Sequence, residues 1–302
     1  MSMFDPLQRK IKWSDLNATP FQSDGRVANL RGAADLELSA YLDRIGFTGT
    51  PAPDRATLET MQRLHLLAIP YENVDVQLGR PLTTDPAAAF EKLVTRRRGG
   101  WCYEMNGLFG WALSKIGFPV TRLASGVMRD TFGEATVGNH LVLRVACEDG
   151  PRLADVGLGN GPIAPFALMP GAFVAGGLEF FLEALGDGWW RLNNHAGALP
   201  PSFDFHLDRI DEPLLSASCL RLQTEPTSIF VQNLLCQRFV PEGHLQLLGR
   251  TLKRVTRSGT EERLISSAGE LIDILARDFG IEEPQAADLW PRVAARHAEL
   301  FD

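Results

Sequence analysis

No single regular layer accommodates this chain, because its hydrophobic period changes at Gly117-Phe118-Pro119. Upstream, apolar residues recur at helical spacing. Leu36, Leu38, Tyr41, Leu42 and Ile45 form one stripe; Leu58, Met61, Leu64 and Leu67 form a second, which starts near Arg55 and stops at the breaker Pro70. A third helix is expected over about 86–97 and a fourth over about 102–116. Downstream, short apolar runs bounded by Gly, Asp and Asn predict strands at about 120–128, 139–147, 152–156, 178–184 and 189–193, the pattern of a small antiparallel β-barrel. The last third predicts a helix at about 227–235, strands at about 236–240, 244–249, 251–257 and 261–265, and helices at about 268–279 and 285–299. The expected class is α+β.

At 302 residues the chain exceeds the size at which one hydrophobic core usually stops growing. It reads as a polar N-terminal extension over 1–33, a helical bundle over 34–117, a β-barrel over 118–216 and an α/β lid over 217–302. Apolar and charged fractions of 45% and 22% are those of an ordinary globular protein. A net charge of −7 and one short basic run, Arg96-Arg97-Arg98, argue against a nucleic-acid partner. No apolar run is long enough to span a bilayer, and Asp5, Gln8 and Lys10 leave no signal-peptide core, so a cytoplasmic location with no membrane partner is expected. Cys102, Cys147, Cys219 and Cys236 show neither CxxC spacing nor a disulfide framework, and no metal is expected. Monomer and homo-oligomer both stay open.

One thiol stands apart. The segment Arg98-Gly99-Gly100-Trp101-Cys102-Tyr103-Glu104-Met105-Asn106 sets Cys102 at a glycine-marked turn opening the fourth helix. Unpaired N–H groups at a helix start favour a thiolate, and two glycines permit a tight turn and close approach by a substrate. The other three cysteines lie in apolar surroundings and read as small core residues. His140 lies 38 residues after Cys102, directly before Leu141-Val142-Leu143, and Asp155 lies 15 further on, inside Leu153-Ala154-Asp155-Val156-Gly157. A carboxylate in such a run is costly to bury alone, and an imidazole is a suitable partner. Cys102, His140 and Asp155 then supply a nucleophile, a base and an orienter. Asp149 reads as a turn residue, and His65, His195, His206, His244 and His297 as structural or surface groups. The glycine-rich loop over 157–162 is of a kind that lets a phosphate-bearing ligand approach backbone.

These residues carry a resemblance. The Cys102 segment, Ile69-Pro70-Tyr71-Glu72-Asn73-Val74-Asp75, His140 before its strand, and Asp155-Val156-Gly157-Leu158-Gly159 resemble the arylamine N-acetyltransferase family, in family order and near family spacing, over roughly 35–280. The resemblance implies a cysteine-protease-like Cys-His-Asp core and ping-pong transfer. Cys102 would take an acetyl group from acetyl-CoA, a co-substrate rather than a prosthetic group, and pass it to an arylamine or arylhydrazine. It further implies that Arg98 pairs with Glu72 to brace the cysteine loop and that the Asn106 amide lies near the site. Tyr71, Leu158 and Phe230 would line the acceptor pocket, and Thr136 and Gly138 would border the CoA cleft. Two departures bear on the acceptor: Leu158 stands where the family usually has phenylalanine, and 224–230 only partly matches the family's Ser/Thr-Pro segment. Three other readings fit the same residues. One is an amide synthase joining a carrier-bound polyketide acyl chain to an aromatic amine. Another is a hydrolase or transglutaminase-like enzyme, and the last a binding protein without turnover.

Overall fold

The computed structural model describes residues 37–256 and 258–301, so the extension over 1–33 and Leu36 of the first stripe lie outside the described residues. Helix α1 spans Leu38–Ile45 and α2 spans Arg55–Ala68. The Asp54 carboxylate starts α2 by accepting from the Thr57 N–H at 2.8 Å, a cap worth about 1 kcal/mol. After Pro70 come β1 (Tyr71–Glu72), α3 (Val74–Gln77) and α4 (Pro86–Phe90), which runs on as a π-helical turn over Glu91–Thr95. Helix α5 (Cys102–Ile116) closes at Gly117, whose φ of +111° is a left-handed geometry that glycine adopts without a Cβ clash.

The central unit contains β2 (Val120–Val127), α6 (Arg129–Phe132), β3 (His140–Cys147), β4 (Gly150–Ala154), β5 (Phe166–Ala167), β6 (Gly171–Ala175), β7 (Leu178–Gly186), β8 (Trp189–Asn193) and β9 (Ser202–His206). They pair antiparallel in the order β5-β4-β3-β2-β9-β8-β7-β6, a curled half-barrel. Strand β3 divides two cores because its side chains alternate. Leu141, Leu143 and Val145 pack with Leu58, Met61, Phe109 and Leu113 of the helices, whereas Val142 joins Leu123, Leu153, Phe203 and Phe205 inside the curl.

The remaining elements are α7 (Glu212–Thr224), α8 (Ile229–Gln232), β10 (Leu235–Val240), β11 (Gly243–Leu248), β12 (Thr251–Thr256), β13 (Gly259–Leu264), α9 (Ala268–Phe279) and α10 (Trp290–Phe301). Their sheet recruits β1 from the helical region, in the order β1-β10-β11-β12-β13. Leu271, Ile274, Leu275 and Phe279 of α9 bury against Leu245 and Leu247 of β11. The helix expected over about 227–235 is only the short α8, because Asn73 Oδ1 accepts from the Leu235 N–H at 2.8 Å and draws that residue into β10. The longer α7 was not anticipated, and the helix expected over about 285–299 divides into a 3-10 turn at Pro284–Leu289 and α10. Among the described residues no helix is long and apolar enough to cross a membrane.

Candidate active site

Three elements bring the candidate residues together. Cys102 is the first residue of α5, His140 the first of β3, and Asp155 follows the last residue of β4. All three are buried. His140 Nε2 lies 2.8 Å from Asp155 Oδ2, and its ring meets Phe203 edge-on with centroids 5.3 Å apart. Burial alone would lower the His140 pKa. The Asp155 carboxylate and Cys102 outweigh it and raise the value to about 10, so the ring is held as an imidazolium at neutral pH.

Asn106, one turn along α5, ties the two strands to the helix. Its Nδ2 donates to Asp155 Oδ1 at 2.7 Å and to the Leu141 carbonyl at 2.6 Å, and its Oδ1 accepts from the Val156 N–H at 2.9 Å. The Gly157 N–H donates to Asp155 Oδ1 at 2.7 Å as well. Both oxygens of that buried carboxylate are thus engaged, Oδ1 by Asn106 and Gly157 and Oδ2 by His140, which fixes the imidazole it faces.

Beneath the cysteine loop lies a buried ionic network. Arg98 Nη2 reaches Glu72 Oε1 at 3.0 Å, the pairing the resemblance implies, and Arg98 Nη1 reaches Glu283 Oε2 at 2.7 Å. Lys92 Nζ contacts Glu104 Oε2 at 2.9 Å and Asp75 Oδ2 at 3.3 Å, with only 2% of its side chain exposed. Burial would raise the Asp75 pKa, but Lys92 and Arg98 prevail and lower it; at Glu104 burial prevails over Lys92 and raises it. Glu104 also accepts from the Trp101 N–H at 3.3 Å, half of a capping box at the start of the cysteine helix. Lys92, Asp75 and Glu104 escape a sequence reading because a charged residue on a helix ordinarily marks a solvated face, and Glu283 because it lies in the loop before Pro284. Arg96 and Arg97 are indeed exposed.

The glycines also make room for the protein's own chain. A Cβ at Gly99 would overlap the Pro70 carbonyl and Glu72, and one at Gly157 would overlap Cys102 itself. One at Gly159, whose φ is +83°, would overlap Gln237 Oε1. At each of these three glycines the protein's own chain approaches closely. His244 Nε2 and His195 Nε2 brace the same loop at the carbonyls of Gly159 and Asn160, 3.1 and 3.2 Å away.

A cavity of about 80 Å³ opens onto Cys102 and His140. Tyr71, Leu158 and Phe230 all line it, together with Val127, Leu222 and Ile229 among others. Phe230 is seated by Asn73 Nδ2, which donates to its carbonyl at 2.8 Å, and its ring meets Trp101 edge-on at 5.3 Å. Thr136 and Gly138 are buried outside this lining. The Thr136 hydroxyl donates to the Gly133 carbonyl at 2.8 Å, and the Gly138 carbonyl accepts from the Tyr103 hydroxyl at 2.7 Å. Among the other cysteines, Cys219 and Cys236 are buried and Cys147 is partly exposed; desolvation raises all three thiol pKa values. Among the described residues no group of three or more His, Cys, Asp or Glu could hold a metal ion.

Residues 54–287 match the protein family described as N-acetyltransferase. The arylamine N-acetyltransferase of Mycolicibacterium smegmatis is 37% identical over 279 residues, covering 88% of this chain and 99% of that protein. The Escherichia coli K12 arylamine N-acetyltransferase is 29% identical over 248 residues, covering 81% and 88%. Among solved structures, the arylamine N-acetyltransferase from Salmonella typhimurium superposes with a TM-score of 0.79 at 30% identity, over 87% of this chain and 100% of that one. The Mycobacterium marinum arylamine N-acetyltransferase in complex with CoA superposes with a TM-score of 0.75 at 32% identity, over 87% and 99%.

Proposed function

The chain belongs to the arylamine N-acetyltransferase family, and from that premise we propose that it transfers the acetyl group of acetyl-CoA to arylamines and arylhydrazines through an acetyl-cysteine intermediate. The observation that carries the reading is the 2.8 Å contact of His140 with Asp155, on the wall of a cavity that also opens onto Cys102.

In the first half-reaction the Cys102 proton rests on His140, and the thiolate attacks the thioester carbonyl. Collapse of the tetrahedral intermediate breaks the bond to the CoA sulfur, which leaves as the thiol after taking the proton from His140. The acetyl group is now a thioester on Cys102, close in energy to the one it replaced. In the second half the amine nitrogen attacks that carbonyl, its proton passes to His140, and Cys102 leaves as the thiolate. Kinetics are ping-pong. Backbone N–H groups of Cys102 and Tyr103, in the first turn of α5, have no intrahelical acceptor and are our candidates for stabilising the oxyanion.

Tyr71, Leu158 and Phe230 form the acceptor wall in this reading, and Asn106, Glu72 and Arg98 position the reacting groups. Thr136 and Gly138 shape the segment leading to His140. The partners are a CoA thioester and an aromatic amine or hydrazine, and four free cysteines suit a reducing, cytoplasmic setting.

The test is the intact mass of wild type and Cys102→Ala after incubation with acetyl-CoA, followed by a chase with an aromatic hydrazine. Wild type should gain one acetyl group that Cys102→Ala does not, and the chase should remove it as acetylhydrazide. Absence of an adduct on wild type would overturn the reading.

A further inference from the structure

The cavity beside Cys102 is apolar except for a few groups, and three of these stand in one row. Tyr71 of β1 is in register with Gln237 of β10, and Gln237 with Gln246 of β11. Directly opposed residues of antiparallel strands share a face, so the three side chains project together. All three line the cavity.

Gln237 is 3% exposed, yet its amide makes no hydrogen bond among the described residues, and neither does the amide of Gln246. Asn139, the other amide on the wall, is by contrast satisfied, its Oδ1 accepting from the Val127 N–H at 2.8 Å. The Gln237 amide is not a buried orphan, so it stays open to the cavity space. The fold accommodates this one deliberately close, since Gln237 Oε1 occupies the space that a Cβ at Gly159 would fill.

We propose that Gln237 and Gln246 determine acceptor specificity by binding an uncharged hydrogen-bonding substituent, a carboxamide or a hydroxyl, carried on the acceptor ring away from the reacting nitrogen. This rests on the acetyl-transfer reading above. An amide offers a donor and an acceptor together, which matches such a group. A carboxylate is disfavoured, because among the described residues no lysine or arginine lines the cavity and the His140 imidazolium there is already paired with Asp155. A site built to pair a polar substituent discriminates against an apolar isostere more strongly than an apolar wall discriminates between sizes, because the loser leaves the wall amides unpaired.

The probes are 4-aminobenzamide and 4-isopropylaniline, which differ in polarity at nearly constant shape. The quantity read is the ratio of their kcat/KM values, in wild type, Gln237→Met, Gln246→Met and the double variant. Both amines meet the same acetyl-enzyme, so this ratio is independent of the first half-reaction and of the fraction of protein folded. We expect it to fall at least tenfold in Gln237→Met, less in Gln246→Met, and furthest in the double variant, chiefly through KM. A ratio within twofold of wild type in all three variants overturns the inference and leaves acetyl transfer standing. A wild type that forms no acetyl-cysteine with acetyl-CoA overturns the transfer reading, and this inference with it.

Discussion

The two sides of the cavity are built on opposite terms. Below Cys102 the polar groups of the brace are matched in close geometry, Glu72 and Asp75 with Arg98 and Lys92, and Lys92 with Glu104. Across the cavity the wall of β10, β11 and α8 is mostly apolar, and its glutamine amides are left open. A buried network so closely paired, although Arg98 Nε is left without a partner, has one low-energy arrangement and resists displacement. An open wall can exchange partners with whatever enters. The division assigns chemistry to the rigid side and recognition to the adaptable one, and it means that substitutions on the two sides should fail differently.

The largest effect belongs to the rigid side. Asp155→Asn keeps the shape but no longer holds the imidazolium, and kcat should fall on the order of 10⁴, as when the orienting carboxylate of such a triad is lost. Single-turnover acetylation of Cys102 measures it, and a loss under tenfold would break the assignment of Asp155 as orienter. Next, Lys92→Met leaves the Glu104 carboxylate buried without its cation and takes one cation from Asp75, which keeps Arg80 and Arg98. Unfolding free energy should drop by about 3–5 kcal/mol, the usual cost of removing one partner from a buried pair. Denaturant titration reads this directly, and a drop below about 1 kcal/mol would show that the network is dispensable.

Acid and base should attack different parts of this rigid side. The His140 pKa is lowered by burial but raised overall by Asp155 and Cys102 to about 10, above its ordinary 6.5. Its contribution to stability is therefore complete below about pH 6.5 and is lost as pH climbs toward about 10. For Asp75, burial raises the pKa while Lys92 and Arg98 bring it below its ordinary 3.8, so its contribution holds above that value and is lost on acidification. The melting-temperature gap between wild type and His140→Gln should shrink between about pH 7 and 10. A gap that widens with pH would contradict the charged pair.

The His140–Asp155 pair was legible in the sequence because each member interrupts an apolar run, where an unpaired charge would be costly. Strands β3 and β8 were legible for a related reason: one face of each is apolar, Leu141, Leu143 and Val145 in β3 and Trp190 and Leu192 in β8. Helix α7 was not, since its buried stripe of Leu215, Ser218, Cys219 and Leu222 places Ser and Cys at two of its four positions. The cues that could have found it are local, the Asp211 carboxylate accepting from the Leu214 N–H at 3.0 Å and a proline in the first turn. Strand β9 hid for the converse reason. Asp204 is wholly buried between Phe203 and Phe205 because Arg191 Nε reaches it at 2.7 Å, a partner invisible from sequence distance. The ionic brace was half legible: Glu72 and Arg98 came with the resemblance, but Lys92 looked like any solvated helix cation.

The smallest effect belongs to the wall, and Leu158 gives the sharpest view of it. Leu158 lines the cavity and, at 6% exposure, also belongs to the core inside the curl, so a larger residue there presses on both. Leu158→Phe should thus lower the melting temperature modestly by overpacking and supply an aromatic surface on which a flat ring stacks. Such a pair is worth about 0.5–1.5 kcal/mol, which sets the expected fall in KM for a one-ring hydrazine at roughly tenfold or less. The same ring occupies part of a cavity of about 80 Å³, so KM for a two-ring amine should rise. Opposite shifts for the two acceptors, at unchanged rates of Cys102 acetylation, are what an adaptable wall facing a fixed floor requires. A parallel loss for both acceptors together with slowed acetylation would mean that Leu158 also holds the cysteine side in place, and that the two sides are not independent.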